Sequence, residues 1–107
     1  MKQVKAFVHR HCVSDLLRGL RDSGFERVSV FDVKGTLHAL SAREQRYSVE
    51  LGEPVVEEMQ IELCCDDAQV AGAVEVIRRH GRTGRADAGW IYVSGIEQAI
   101  EIGGEER

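Results

Sequence analysis

Two stretches of helical spacing sit between stretches of alternating apolar residues, and that order constrains the fold more than any other feature of the chain. Residues 2–9 (KQVKAFVH) place Val4, Ala6 and Val8 on one face of a strand. Residues 13–23 carry Val13, Leu16, Leu17 and Leu20 on one helical stripe, with Cys12 or Ser14 near its start and Gly24 placed to end it. Residues 27–34 (RVSVFDVK) alternate again: Val28 and Val30 share a face with Asp32, and Phe31 shares the other with Val33. Residues 55–65 set Met59, Ile61, Leu63 and Cys65 on one face. Asp66 and Gln69 then form a capping pair for a helix that runs to about His80, with Val70, Ala73, Val74 and Ile77 inward. Residues 90–94 (WIYVS) make a fourth strand, and the tail 96–102 has the composition of a turn and a short edge strand. The order βαββαβ predicts a ferredoxin-like α+β domain, an antiparallel sheet with two helices on one face. The opposite face then needs cover from neighbouring copies, a need the pattern assigns to Val28, Val30 and the apolar alternates of 55–65.

A chain of 107 residues supports one domain, spanning 1–107. No apolar run reaches the roughly 20 residues of a membrane-spanning helix. The start, Met1-Lys2-Gln3-Val4, lacks the apolar core of a signal peptide, so a cytoplasmic location is expected, without membrane insertion. Cys12, Cys64 and Cys65 are odd in number and two are adjacent, which predicts reduced, buried thiols rather than a disulfide framework. On a regular strand Cys64 and Cys65 face opposite ways. A formal net charge of -4 without a basic cluster argues against nucleic acid as a partner. Phe7, Phe31, Trp90 and Tyr92 are not arranged as an RNA-recognition motif.

Catalytic signals are missing. A small domain of this class can host acylphosphatase chemistry, which needs an asparagine beside an arginine, and the chain contains no asparagine. No Walker loop, HExxH or CxxC occurs. The chain is therefore read as a binding protein, not an enzyme.

Three segments could carry binding. Residues 35–54 break every pattern and predict a loop of about 20 residues, too long to be a mere connection. His9-Arg10-His11-Cys12 is the sharpest local metal signal: in an extended strand His9 and His11 point the same way about 6–7 Å apart. The competing reading is two surface histidines at a strand end. Residues 81–93 (GRTGRADAGWIYV) put three glycines between a helix and a strand, which suits close backbone approach to a ligand or a second subunit.

This glycine-rich loop, with Asp32-Val33-Lys34-Gly35 and Met59-Gln60-Ile61-Glu62-Leu63 upstream, resembles the PII family of signal-transduction proteins, the nitrogen regulatory proteins, over residues 1 to about 106 without a gap. The resemblance implies a homotrimer with ligand clefts between subunits. It also implies a signalling loop at about 36–54, the T-loop, that acts on a transporter or enzyme through residues such as Arg43, Glu44, Arg46 and Tyr47. The tail, about 96–107, resembles the segment that closes over the cleft. The cofactor implied is an adenine nucleotide, often with 2-oxoglutarate and magnesium.

Carried over by position, the ligand-binding set is Gly35, His38, Glu58, Cys64, Thr83, Gly84, Arg85, Asp87, Gly89, Trp90 and Glu101. Gly35, Thr83, Gly84 and Gly89 match the family pattern. The departures lie where phosphate is usually held. Of the family's Gly-Phe-Gly-Arg-Gln-Lys-Gly only Gly35 survives, with His38 and Ala39 at the arginine and glutamine positions. A family lysine is Glu58, another is Trp90, and two tail arginines are Glu101 and Gly103. A triphosphate needs several focused positive groups, so the departures predict weak or no ATP binding and a cleft better suited to a divalent metal or other cation. The tyrosine that some members have nucleotidylated aligns with Leu51, and Tyr47 stands in a different context. Two further readings stay open: a metal-binding protein akin to the CutA divalent-cation tolerance proteins, with His9 and His11 as ligands, and a scaffold with an inert cleft.

Overall fold

A computed structural model describes residues 1–35, 45–48, 53–84 and 88–103, the side chains of 45–48 and 53–57 excepted. Its elements are β1 (Lys2–His9), α1 (Val13–Asp22), β2 (Val28–Gly35), β3 (Gln45–Ser48), β4 (Glu53–Cys65), α2 (Val70–Gly81) and β5 (Gly89–Gly95). Single 3-10 turns, Arg10–Cys12 and Asp67–Gln69, lead into the two helices. The sheet is antiparallel in the order β2-β4-β1-β5, and β3 pairs with the first residues of β4. This is the ferredoxin-like arrangement expected from the apolar pattern.

Register explains which residues form the core. Val4, Ala6 and Val8 of β1 stand opposite Leu63, Ile61 and Met59 of β4 and opposite Val93, Ile91 and Gly89 of β5. This face meets the helices, and Val4, Ala6, Val8, Ile61, Leu63 and Cys65 are buried against Leu16 and Leu20 of α1 and Ala73, Val76 and Ile77 of α2. On α2 the inward stripe runs through Val76, whereas Val74 is only half buried. Gly19 lets the helices touch: a β-carbon there would lie 2.7 Å from the His80 ring.

The helix boundaries follow local chemistry. Gly24, at φ 93°, ends α1, and Phe25 N donates to Leu20 O at 2.9 Å behind it. The start of α1 has no side-chain cap from Cys12. Asp66 and Gln69 form the expected reciprocal capping box ahead of α2.

Four expectations need correction. Val28 and Val30 pair with Leu63 and Ile61, so they lie on the helix-covered face, and Ile61, Leu63 and Cys65 are buried by the chain's own helices. The apolar groups of the open face are instead Phe7, Phe31, Val33, Trp90 and Tyr92, with Phe7 and Tyr92 packed edge to face at 6.1 Å. The interval 35–54 is not all loop, since 45–48 and 53–54 are strand. Among the described residues the tail forms no strand; Ile96 N donates to Met1 O and the chain then leaves the sheet. Cys12 and Cys65 are buried but Cys64 is exposed, so the two adjacent thiols do face opposite ways. Burial and the nearby Asp66 carboxylate raise the Cys65 thiol pKa.

Candidate functional site

The end of the sheet where β1 finishes and β5 begins gathers most of the candidate residues whose side chains are described. α2 stops at Gly81, and Arg82 leaves it in extended conformation at φ -69° and ψ 140°. Gly84 turns the chain at φ 82°, and Gly89 opens β5 at φ 141° with its α-carbon pressed against the Phe7 carbonyl of β1. These glycines accept backbone angles that a side chain resists. Between α2 and β5 they leave a cavity of about 390 Å³. Val8, Ile77 and Ile91 supply apolar wall, Gly84, Gly89 and Trp90 come from the expected set, and Arg78 and Arg82 supply charge. Thr83 lies beside it, half buried.

A second cluster sits at the same end of the sheet, on β1 and β4. His9 and Glu58 are Cα partners at the end of the β1–β4 pair, and both are buried. The Glu58 carboxylate lies over Gly35 so closely that a β-carbon at Gly35 would overlap it. Gly35 is thus a packing requirement of Glu58, and the three residues are brought together by β2, β4 and β1.

The His9–His11 pair is not the extended arrangement expected. The chain enters a 3-10 turn at Arg10, which leaves His9 buried and His11 exposed, with ring centroids 6.2 Å apart and tilted by 40°. His11 Nε2 lies 3.6 Å from Cys12 Sγ. Among the described residues no group of three or more His, Cys, Asp or Glu could hold a metal ion.

The remaining candidates are not assembled within one chain. Cys64 pairs with Gln3 on the open face, six residues and about 20 Å along β4 from Glu58. Glu101 is exposed in a tail that leaves β5 at the end opposite Glu58. Of the three carboxylates expected at the cleft, Glu58 is buried near the middle of β4, Glu101 is exposed in the tail, and Asp87 lies outside the described residues. So do His38, Arg85, Arg43 and Glu44; Arg46 and Tyr47 are in β3, where only the backbone is described. The described cavity wall is basic, not acidic. Arg78 stands outside the sequence-based set. Its position in the last turn of α2, three residues before the helix ends at Gly81, is what brings it to the cavity.

The nitrogen regulatory protein P-II family model matches residues 1–106. Among similar curated proteins are three named nitrogen regulatory protein P-II. That of Rhodospirillum rubrum is 30% identical over 107 residues, covering 100% of this chain and 96% of the relative. That of Bradyrhizobium diazoefficiens is 31% identical over 106 residues, covering 95% and 91%. That of Mesorhizobium japonicum is 28% identical over 102 residues, covering 95% and 91%.

Proposed function

The chain belongs to the nitrogen regulatory protein P-II family, and from that premise we propose that it is a signal-transduction protein and not an enzyme. In this reading it is a cytoplasmic homotrimer that binds a small effector in clefts between subunits. It passes the ligand state to a transporter or enzyme through residues 36–54. The observation that carries the reading is the end-to-end family match, on a sheet whose open face displays Trp90 and Tyr92 at 66% and 54% exposure. A face of that composition is favoured as an interface, because burying large aromatics there removes apolar surface from water. The same contact explains why Phe7, Trp90 and Tyr92 group on one face without being an RNA platform in an acidic chain.

The effector is not a nucleotide triphosphate in the family's usual pose. Charge-assisted contacts contribute about 1.5–3 kcal/mol each, and Glu58, Trp90, Glu101 and Gly103 stand where four basic groups would act. A divalent metal remains a candidate through Glu58 and residues of neighbouring subunits.

The test joins light scattering to a thermal-shift panel of ATP, ADP, 2-oxoglutarate and divalent metals. A trimer whose melting temperature rises with one of these is the expected outcome, since a ligand selective for the native state stabilises it by mass action. A monomer at micromolar concentration, or strong stabilisation by ATP alone, overturns the respective part of the reading.

A further inference from the structure

We propose that the outward stripe of α2 is a docking surface for a partner protein, additional to residues 36–54, and that it takes a segment carrying two or more carboxylates beside a large apolar side chain. The surface is a concavity of about 480 Å³ formed by Ala71, Val74, Glu75, Arg78, Arg79 and Arg82. Among the described residues, none of its wall comes from β5 or from the loop glycines. α2 covers the face of the sheet opposite Trp90 and Tyr92, so the stripe lies clear of an interface built on the aromatic face.

The stripe is polarised along its length. At its start Ala71 is exposed and Val74 half buried, which makes an apolar foot. About two turns later it ends in Arg78 and Arg79, with Arg82 just past the helix end. Its one acid, Glu75, is already engaged: Arg79 Nη2 donates to Glu75 Oε1 at 2.6 Å. Arg78 and Arg82 are exposed, and neither has an ion pair among the described residues. Three arginines against one glutamate leave two positive charges on this surface, in a chain of formal net charge -4. The negative end of the helix dipole accounts for basic residues in the last turn. It does not account for an apolar foot two turns away.

Charge and composition choose the occupant. A guanidinium presents a planar fork of donors that matches a carboxylate. A chain of net charge -4 repels an acidic partner as a whole, so the attraction must be local. Screening over about 8–10 Å at ordinary ionic strength lets two arginines act on their own surroundings. Nucleic acids and anionic membranes are poorer occupants, because each is held by many cations at once. This stripe has two uncommitted ones and, among its described residues, no aromatic side chain on which a base could stack. An acidic protein segment needs only two carboxylates to engage Arg78 and Arg82 while its apolar residue covers Ala71 and Val74.

The probe is a rhodamine-labelled peptide of Leu-Glu-Glu repeats, with a peptide of Leu-Gln-Gln repeats as its neutral counterpart. Fluorescence anisotropy at low salt should show the acidic peptide bound at least about tenfold tighter, the factor expected for one charge-assisted contact. Added salt should shrink that preference. R78Q/R82Q should abolish it, and R18Q/R21Q, which removes the same charge from exposed positions on α1, should keep it. A peptide of Ala-Glu-Glu repeats should bind more weakly than the Leu-Glu-Glu peptide, since it has little apolar surface to lay on Val74. Equal binding of the acidic and neutral peptides by the unaltered protein overturns the proposal without any variant having to fold. So does an acid preference that survives in R78Q/R82Q or disappears in R18Q/R21Q, or an Ala-Glu-Glu peptide that binds as well as the leucine one. Cosedimentation with phosphatidylserine vesicles, lost in R78Q/R82Q and without any peptide preference, would assign the stripe to a membrane and overturn the proposal too. The peptide assay involves neither the effector nor residues 36–54, so its outcome is separate from that of the signalling reading.

Discussion

Replacing Gly89 by alanine should be the most damaging single-methyl change at the glycine-rich loop. A β-carbon on Gly89 would fall 2.0 Å from the Phe7 carbonyl oxygen, 3.2 Å from its carbon and 3.5 Å from Val8 Cα. All three obstacles are backbone. β1 cannot retreat, because it is hydrogen-bonded to β4 on its other side and Val8 is 3% exposed in the core. The residue also sits at φ 141°, where a side chain costs about 1–3 kcal/mol. Relief requires the start of β5 to lift off β1, with loss of one or two ladder hydrogen bonds at about 1 kcal/mol each. The sum is a destabilisation of about 2–5 kcal/mol, or a melting-temperature drop of about 10–20 °C for a domain of this size. Gly84→Ala is the matched control. Gly84 also has positive φ, 82°, but nothing lies within 4 Å of its added β-carbon, so only about 1 kcal/mol should be lost. Gly72→Ala, in open space on α2, should stabilise by about 0.5–1 kcal/mol. Urea denaturation followed by circular dichroism, at one protein concentration so that any association affects all three alike, ranks the three variants. A Gly89→Ala loss within about 0.5 kcal/mol of the Gly84→Ala loss would refute the steric argument.

Val76→Ala should cost more than Val74→Ala, about 1–3 kcal/mol against less than about 1, because Val76 is 6% exposed and Val74 half buried; urea midpoints decide it. The raised Cys65 pKa works through the unfolded state: with the folded value above the ordinary 9.0, stability is intact below that value and declines as pH rises through the folded pKa. Cys65→Ala should flatten that alkaline decline in melts between pH 8 and 10, and an unchanged slope would assign it to other groups. Trp90→Lys and Tyr92→Lys should weaken assembly on the open face, read as a lower mass by light scattering at equal concentration, since each puts a charge on an apolar interface. Phe25→Ser, in the turn that closes α1, should lower the melting temperature without altering that mass.

Period-2 and period-3.6 patterns located six elements to within about two residues because each of those elements has one buried face. Leu16 and Leu20, or Ile61 and Leu63, can satisfy the core in only one register. The pattern failed where burial does not discriminate. Residues 45–48, Gln-Arg-Tyr-Ser, carry no apolar alternation, so their pairing with β4 is set by the neighbouring strand and not by their own composition. β4 likewise begins at Glu53, ahead of its apolar residues, and Pro54 and the acidic pair Glu57-Glu58 hide a strand that runs for 13 residues.

The face assignment of β2 shows a subtler limit. Alternation groups Val28 with Val30 but does not say which face the helices cover; only pairing of Val28 with Leu63 and Val30 with Ile61 settles that. Once settled, it moves the exposed apolar surface onto Trp90 and Tyr92, beside the half-buried Phe7. The candidate site obeys the same logic. Gly84 and Gly89 were legible because backbone angles demand glycine, and Glu58 was legible as a departure from a family pattern. Its burial over Gly35 was not, since that depends on β2 and β4 meeting at Val33 and Glu58. A carboxylate seated on a glycine beside His9 is a different device from an exposed lysine reaching for an anion. Sequence carried the glycines between α2 and β5, whereas the withdrawal of Glu58 into the sheet and the placing of Arg78 beside those glycines by the last turn of α2 depend on tertiary contact.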